Sequence, residues 1–323
     1  MTRSTTNPLL WRPKGLPHCR QERKTASRNW VDLPRDLTLM IISRLDTFQI
    51  LTSAQRVCRL WRSICMDPLM WRTINMCDIR IDNSADFDLE KMCMNAIDRS
   101  CGLLEDISIE YFGSDDLLKY IIDSQCQLRR LRLVLCFYRI SDEGLVEIAQ
   151  RLPMLEELDI TLCRNVSSVA LEGIGRGCPL LKSLKYNDNN DYYVGDEEAF
   201  VIAQNMPNLR HLQLVNNNLD NSGVSAILDG CSRLESLDLR CCENVELEGE
   251  LRRRCDEQLK DFIEPNTSFD FRGYEFYEFY DTDYDELASH YRYNVKKGRR
   301  RRRRRNRNRN RKGRRNTEER KGN

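Results

Sequence analysis

The sequence contains no long apolar run. No stretch approaches the roughly 18 uninterrupted apolar residues that a membrane-spanning helix needs. The first residues carry Arg3, Arg12 and Lys14 among a few leucines and lack the apolar centre of a secretion signal. We therefore expect a soluble protein that does not bind a membrane. We expect it to work in the nucleus, the cytoplasm or both.

Side chains that ligate metals are poorly placed for a metal site. The 14 cysteines form no CxxC pair, and the three histidines, His18, His211 and His290, are scattered along the chain. Structural zinc sites use closely spaced pairs of these residues. We expect no metal, and we interpret the cysteines as reduced thiols that act as small hydrophobic side chains.

Catalytic signatures are also missing. The sequence has no GxGxxG, GxxxxGK(S/T), GxSxG or HExxH motif. The glycine-rich run at 173–177 lies at the end of a predicted helix, where glycine ordinarily terminates helices. Cys58 and Cys65 have no histidine nearby in the sequence that would activate a thiol. The sequence thus predicts a non-catalytic protein without a cofactor.

Charges of opposite sign are segregated along the chain. Residues 296–323 contain 17 Lys/Arg against two Glu, which leaves a formal charge of +15. Residues 1–295 contain 35 Lys/Arg and 48 Asp/Glu, which leaves −13. This separation favours a basic appendage over a fold that is itself built to bind nucleic acid.

What the sequence does contain is an internal repeat. Between about residues 100 and 250 the pattern L-x-x-L-x-L-x-x-(C/N) occurs six times. The second apolar positions are separated by 24, 27, 26, 28 and 25 residues, which is typical of leucine-rich repeats. These positions are Ile107, Leu131, Leu158, Leu184, Leu212 and Leu237.

Each letter of the repeat has a physical reason. The x-L-x-L-x alternation predicts a short strand with one buried face, and stacking such strands makes a parallel sheet. A buried thiol or amide suits the bend that follows, because it can satisfy backbone groups that would otherwise lack partners. These bend residues are Cys136, Cys163, Asn189, Asn217 and Cys242, and the first copy has Phe112 at the same place.

A helical pattern follows each bend. Ser141 or Asp142 is the predicted N-cap of a helix that buries Leu145 and Ile148. Coils with the strand on the inside and the helix on the outside predict a fold of the α/β class. The predicted architecture is a right-handed leucine-rich-repeat solenoid of about six coils over residues 76–255. The prolines that we expect to end the helices before the next strand are Pro153, Pro179 and Pro207.

Residues 28–75 show no repeat and predict three amphipathic helices. After Leu33-Pro34, a stripe of apolar residues falls at i, i+3, i+4 and i+8, and proline suits a first helical turn. The run L-P-x-(D/E)-L…I-x-x-x-L…V-C-R-x-W-R…D-P-x-x-W spans Leu33 to Trp71. This run resembles the F-box. The stripe consists of Leu37, Met40, Ile41 and Leu45.

The repeats strengthen this resemblance. Cys178-Pro179 before a strand and the turn from Cys136 to Ser141 resemble the cysteine-containing class of leucine-rich repeats, which is typically found behind F-boxes. Asn29-Trp30 just before the motif is similar to plant F-box/leucine-rich-repeat proteins. The chain is therefore identified by resemblance with a plant-type F-box/leucine-rich-repeat family.

The resemblance implies a substrate-recognition subunit of an SCF-type (Skp-cullin-F-box) ubiquitin ligase. The F-box would insert apolar residues into a Skp-type adaptor that is held by a cullin scaffold, while ubiquitin chemistry belongs to other subunits. Some of the residues of the F-box that are candidates for adaptor contact are expected to serve internal packing instead. Trp71 is expected to pack where the module meets the first coil. Matched position by position, the candidates for adaptor contact are Leu33, Pro34, Leu37, Ile41, Leu45, Val57, Cys58 and Trp61.

The strand positions that alternate with the leucines predict a concave face that binds the target protein. Because adjacent strands lie about 4.8 Å apart, Arg130 and Arg132 alternatively pair with Glu157 and Asp159 across the ladder. Six coils make an arc too open to enclose a small molecule. The candidate residues are Arg130, Arg132, Glu157, Asp159, Lys185, His211, Gln213, Asp238 and Arg240.

The end segments differ in composition from the rest. Residues 1–27 are expected to be disordered. Residues 256–286 contain eleven Asp/Glu and nine Phe/Tyr, which predicts a disordered or loosely collapsed segment reaching to about 295. The Arg-rich segment at 296–323 has three interpretations, which are a solvated disordered tail, a nuclear import signal and a contact with nucleic acid. A nuclear or RNA-associated scaffold that uses this tail is the alternative function.

Overall fold

A computed structural model describes residues 33–77, 79, 87–187 and 195–267. These residues form a helical module followed by a parallel sheet covered by helices. The predictions made for residues 1–32, for Asn189 and for the chain after residue 267 lie outside the described residues.

The helical module contains the three predicted α-helices, which are α1 (Arg35–Ile42), α2 (Thr47–Thr52) and α3 (Arg59–Cys65). Two short 3-10 helices, Ala54–Arg56 and Pro68–Trp71, complete it. The Asp46 carboxylate caps α2 by accepting a hydrogen bond from the Gln49 backbone N–H at 2.6 Å. Pro34 occupies the N-cap position of α1, just before the first helical turn in which the sequence placed it.

Eight strands form one parallel sheet in chain order, so each strand lies beside its sequence neighbours. Parallel pairing of consecutive strands requires a crossover between each pair, and helices supply most of these crossovers. The strands are β1 (Thr73–Met76), β2 (Asp106–Glu110), β3 (Arg130–Val134), β4 (Glu157–Thr161), β5 (Ser183–Asn187), β6 (His211–Gln213), β7 (Ser236–Asp238) and β8 (Asp261–Ile263).

The helices between the strands pack side by side on the opposite layer. The end of α7 at Gly177 confirms that the glycine-rich run terminates a helix. The prolines at 153, 179 and 207 follow the ends of their helices by two residues, as predicted. The helices are α4 (Leu89–Ser100), α5 (Asp115–Asp123), α6 (Asp142–Arg151), α7 (Ser168–Gly177), α8 (Glu197–Asn205), α9 (Asn221–Gly230) and α10 (Gly249–Gln258).

The strand register confirms the six predicted repeats. Leu131 lies opposite Leu158, and the same row continues through Leu184, Leu212 and Leu237. All five side chains are buried, because alternation places them on the helix-facing side of the sheet.

The sheet is two strands longer than the six repeats predict. β1 follows the helical module directly and places Ile74 opposite Ile107, and β8 places Phe262 opposite Leu237. Residues 261–263 were expected to belong to a disordered segment, and this expectation is wrong for them. Leu259 and Phe262 keep the spacing of the leucine positions, but the third position is Glu264, so the pattern search missed this degenerate coil.

The bend residues join consecutive coils, as the sequence predicts. The Cys163 thiol donates to the Leu133 carbonyl of the preceding coil at 3.6 Å, and Cys242 donates to the Leu214 carbonyl at 2.9 Å. The Asn217 amide donates to the carbonyls of Tyr186 at 2.8 Å and of Val215 at 3.2 Å. These bonds give partners to carbonyl groups that leave the ladder at the bend.

Carboxylates at the helix starts make a second set of bonds between coils. Ser141 caps α6 by accepting from Gly144 N at 3.2 Å, which confirms one of the two predicted caps. The backbone N–H of Ser141 donates in turn to Asp115 of α5 at 3.0 Å. The backbone N–H of Ser167 donates likewise to Asp142 of α6 at 2.8 Å. Bonds at both ends of the strand-to-helix turn therefore join neighbouring coils in the middle of the solenoid.

Candidate protein-binding surfaces

Helix α1 turns two residues of its apolar stripe, Leu37 and Met40, away from the protein core. The side that faces inward carries Thr38 and Ile42, which are completely buried. Leu37 and Met40 retain 48% and 58% of their accessible surface. A short helix that buries a threonine and exposes its leucine and methionine has its larger apolar surface available to another protein.

The other predicted adaptor-contact residues lie at the surface or partly below it. Pro34 is exposed and Val57 is 55% exposed. Leu45 and Trp61 pack against the core as partly buried side chains, which fits the expected share of internal packing. Leu33, Ile41 and Cys58 are also half-buried, and the Cys58 thiol accepts from the Trp61 backbone N–H at the start of α3. None of the eight is fully buried.

The prediction omitted several exposed apolar side chains of the module. Leu39, Met66 and Leu69 are 37%, 43% and 65% exposed, and Met40 was recognised as part of the stripe without being assigned to the contact. The i, i+3 spacing from Leu37 to Met40 could have placed Met40 in the set. No comparable spacing signal marks Met66 or Leu69, which lie at the turn after α3.

The module and the solenoid share one apolar core. Ile42, Ile64 and Trp71 belong to the same buried cluster as Ile74 and Ile97 of the first coil. The Trp71 indole N–H donates to the Cys65 carbonyl at 3.0 Å, and the ring is 1% exposed. Trp71 therefore packs where the module meets the first coil, as predicted. The Asn75 backbone N–H of β1 donates to the Thr47 hydroxyl of α2 at 3.1 Å, which covers the outer edge of the sheet.

The concave face carries a network of ion pairs centred on Asp159. Its carboxylate lies 3.3 Å from Arg132 and 3.9 Å from Lys185, and it accepts the Thr161 hydroxyl at 2.7 Å. The Thr161 hydroxyl also accepts from the Asn187 amide at 3.1 Å. The alternative reading of Arg132 and Asp159, as a pair across the ladder, is therefore confirmed.

Arg130 behaves differently from the expected pairing. It lies opposite Glu157 in the register but donates to Asp106 of β2 at 2.9 Å. The hydrogen bond to Asp106 raises the pKa of the Arg130 guanidinium above its usual value. Glu157 also attracts the Arg130 guanidinium, but more weakly than Asp106 does.

On β7 the predicted concave residues, Asp238 and Arg240, lie two residues too far along the chain, although the leucine positions of this strand were predicted correctly. His211 and Gln213 lie opposite Ser236 and Asp238, so Ser236 is the missed residue of the concave row. Arg240 follows β7 and folds back onto Asp238, with Nη2 2.5 Å from the carboxylate. The preceding leucine spacing, Leu209 to Leu212 to Leu214, was the signal that would have indicated Ser236.

The buried thiols have no acidic character. Burial raises the pKa of Cys93 to about 12 and that of Cys178 to about 11. Most described cysteines are buried, although Cys101 is exposed and Cys58 and Cys241 are half-buried. Among the described residues, no three His, Cys, Asp or Glu side chains meet in a group that could hold a metal ion. The same residues include no helix with the length and apolarity needed to cross a membrane.

Comparisons with known proteins agree with this architecture. Residues 30–77 match the family model described as F-box-like, and residues 205–228 match that of a leucine-rich repeat. The first match begins ahead of α1 and ends just after β1, so it includes all the predicted adaptor-contact residues.

Three relatives are proteins of Arabidopsis thaliana. F-box protein SKIP19 is 48% identical over 242 residues, covering 75% of this chain and 79% of the relative. F-box/LRR-repeat protein 23 is 46% identical over 260 residues, and the aligned part spans 79% of this chain but 57% of that longer protein. F-box/LRR-repeat protein 9 is 44% identical over 230 residues, covering 69% of this chain and 92% of the relative. The chain belongs to the F-box/leucine-rich-repeat proteins.

Proposed function

We propose that this protein is the substrate-recognition subunit of an SCF-type ubiquitin ligase. Its F-box would bind a Skp-type adaptor and through it a cullin scaffold, and the concave face of the solenoid would hold a target protein. The protein would contribute proximity between the target and the charged transferase, and no catalytic group of its own.

The outward stripe of α1 is the observation that carries this proposal. A module that shares a closed core with the solenoid gains no stability from exposing Leu37 and Met40 to water. Six of the thirteen large apolar side chains exposed in the described chain lie between residues 37 and 69. A concentration of this kind marks an interface with another protein.

Charge substitutions on the exposed stripe test the proposal without disturbing the core. Leu37→Asp combined with Met40→Asp is expected to abolish co-purification of the Skp-type adaptor with the full chain, as is Leu33→Ala with Pro34→Ala. Val169→Asp on α7 is the matched control, because Val169 is also 58% exposed but lies on the solenoid. Retention of the adaptor at wild-type levels by the α1 double variant, with an unchanged melting temperature, would exclude this contact.

The Arg-rich tail is the basis of a second candidate function. Its 17 Lys/Arg residues give it the charge density of a nucleic-acid-binding segment or a nuclear import signal. A scaffold that binds RNA through this tail would shift RNA mobility in a salt-dependent manner, and truncation after residue 295 would remove the shift. Absence of a shift from the full chain at low salt would exclude this function.

A further inference from the structure

Three carboxylates in the strands or just before them are each shared by two cations. Because one carboxylate balances only one of its two partners, each group retains a formal charge of +1. These three groups therefore carry surplus positive charge, which other carboxylates of the sheet balance elsewhere. Glu156 contacts Arg129 at 2.8 Å and Lys182 at 2.7 Å, Asp159 contacts Arg132 at 3.3 Å and Lys185 at 3.9 Å, and Glu235 contacts Arg210 at 3.3 Å and Lys260 at 2.8 Å.

This surplus is concentrated on two adjacent strands in the middle of the sheet. The segments 182–187 and 210–215, which contain β5 and β6, include three cations and a histidine but no carboxylate. The side chains of Lys182, Lys185 and Arg210 are each about half exposed, at 49%, 48% and 52%. Every other pair of adjacent strands from β2 to β8 carries at least one carboxylate in its strands.

The cations in and just before β5 and β6 pair with carboxylates on opposite sides of the strip. Lys182 and Lys185 reach back to the acidic residues beside β4, and Arg210 reaches forward to Glu235 beside β7. Between them, Ser183 lies opposite His211 and Lys185 lies opposite Gln213. This leaves a strip lined by hydrogen-bonding groups with ammonium and guanidinium groups at its borders.

Besides Glu156 and Glu235, four acidic side chains of β4, β7 and β8 lie near this strip. Asp159 is opposite Lys185 and pairs with it and with Arg132. Asp238 is opposite Gln213 and pairs with Arg240. Glu157 is opposite Ser183 in the register and also opposite Arg130, whose cation it attracts. Asp261 is two strands away from His211, beyond Ser236. None of these carboxylates belongs to β5 or β6, and Asp159 and Asp238 each have an arginine of their own as a partner.

On the basis of the function proposed above, we propose that this strip receives an anionic side chain from an extended segment of the target protein. The anion is a carboxylate or a phosphate, since both accept charge-assisted hydrogen bonds from Lys, Arg and protonated His. Gln213 and Ser183 supply neutral donors that orient the group. The anion also completes the charge balance that the shared carboxylates leave unfinished. The residues of the strip are Lys182, Ser183, Lys185, Arg210, His211 and Gln213.

Site-specific photocrosslinking in the full chain bound to its Skp-type adaptor tests this assignment. A photoreactive p-benzoylphenylalanine replaces Gln213, and the probes are labelled octaglutamate, a labelled Gly-Ser octapeptide with one phosphoserine, and octaglutamine. We expect an adduct with at least one anionic probe and none with octaglutamine. Adducts with octaglutamate assign the site to carboxylates, and adducts confined to the phosphoserine peptide assign it to phosphate.

A matched pair of charge reversals separates the strip from general electrostatic attraction, including that of the Arg-rich tail. Lys185→Glu with Arg210→Glu is expected to reduce the adduct at least fivefold. Lys119→Glu with Arg151→Glu changes the net charge equally at exposed positions of α5 and α6 and is expected to leave the adduct unchanged.

Three results would overturn the assignment. They are equal adduct yields in the two reversal variants, no adduct with either anionic probe, and an adduct formed within the chain with its own acidic segment at 268–286. Adaptor binding is measured in the same samples. If the adaptor is retained while the adduct fails, the strip is excluded but the ligase function stands, whereas wild-type protein that fails to bind the adaptor refutes the proposed function itself.

Discussion

The guanidinium of Arg99 lies over the ring of Trp71, with its central carbon 5.3 Å from the ring centroid. Arg99 also donates to the Cys65 carbonyl at 3.4 Å and to the Gln55 side-chain oxygen at 3.1 Å. Arg99 belongs to α4 of the first coil, whereas its three partners belong to the F-box module. One side chain thus closes the joint between the two parts of the protein, above the apolar core that they share.

Replacing Arg99 is expected to weaken this joint. Arg99→Ala removes a cation–π contact and two hydrogen bonds, which predicts a loss of about 1–3 kcal/mol in the free energy of unfolding. Arg99→Lys keeps the charge but not the planar fork, so it should recover only part of the loss. Urea unfolding of the full chain measures the free energy of unfolding of both variants. Arg62→Ala, which removes an exposed arginine of α3, is the control, and an equal loss in both alanine variants would contradict this role for Arg99.

Much of this fold follows from short-range patterns in the sequence. The leucines at 131, 158 and 184 predict the register because period-two alternation and the coil length together allow one parallel stacking. The F-box helices were predicted from proline and apolar spacing for the same local reason. β1 and β8 were not predicted, because β1 has Trp71 and Met76 at leucine positions and β8 has Glu264 at one.

The side-chain network was less predictable than the backbone. Arg130 has a carboxylate on each flanking strand, and sequence spacing does not say whether Asp106 or Glu157 is its partner. The two carboxylates occupy equivalent register positions on either side of Arg130, so only the side-chain conformation in the folded protein decides between them. The error at Arg240 has a simpler origin, since the prediction counted the alternation forward from Leu237 and not back from it, and so missed Ser236.

Asp159 is expected to be the carboxylate on which the order of the concave face depends most. Asp159→Asn leaves Arg132 and Lys185 without their shared carboxylate, and the side chain is only 14% exposed. We expect a loss of about 1–2 kcal/mol in unfolding free energy, since hydrogen bonds to charged groups stabilise a fold more than hydrogen bonds between neutral groups do. Glu157→Gln on the same strand, at a more exposed position, should cost less than about 0.5 kcal/mol. Equal effects of the two substitutions would argue against a central role for Asp159.

Glu156 provides a pH-dependent contribution to stability. The hydrogen bond from Lys182, with further help from Arg129, lowers the pKa of the Glu156 carboxyl. A lowered pKa in the folded state stabilises the fold above the unfolded value of about 4.3, and this stabilisation disappears as pH falls through the folded pKa. Because both cations are about half exposed, at 48% and 49%, the contribution should be below about 1 kcal/mol.

Melting temperatures between pH 7 and pH 3 check this expectation. Glu156→Gln should lower the melting temperature at pH 7 and converge with the wild type at the acid end, because protonated glutamate and glutamine both lack the charge. Glu147→Gln on the exposed side of α6 is the control. A constant difference between Glu156→Gln and wild type over the whole pH range would show that the effect is not ionic.

Two glycines with opposite surroundings test how tightly the helices pack. A Cβ at Gly230 would overlap the backbone carbonyl of Ala203 at the contact between α9 and α8, whereas a Cβ at Gly195 would meet nothing within 4 Å. Gly230→Ala should therefore destabilise the protein by about 1–3 kcal/mol, because the obstacle is backbone that can yield only if a helix moves. Gly195→Ala should be neutral or slightly stabilising through the reduced entropy of the unfolded chain. Denaturant unfolding of both variants, with adaptor binding as a check on the F-box, measures the difference. If Gly230→Ala were as stable as Gly195→Ala, the two helices would have room to separate, and the close helix layer described above would be wrong.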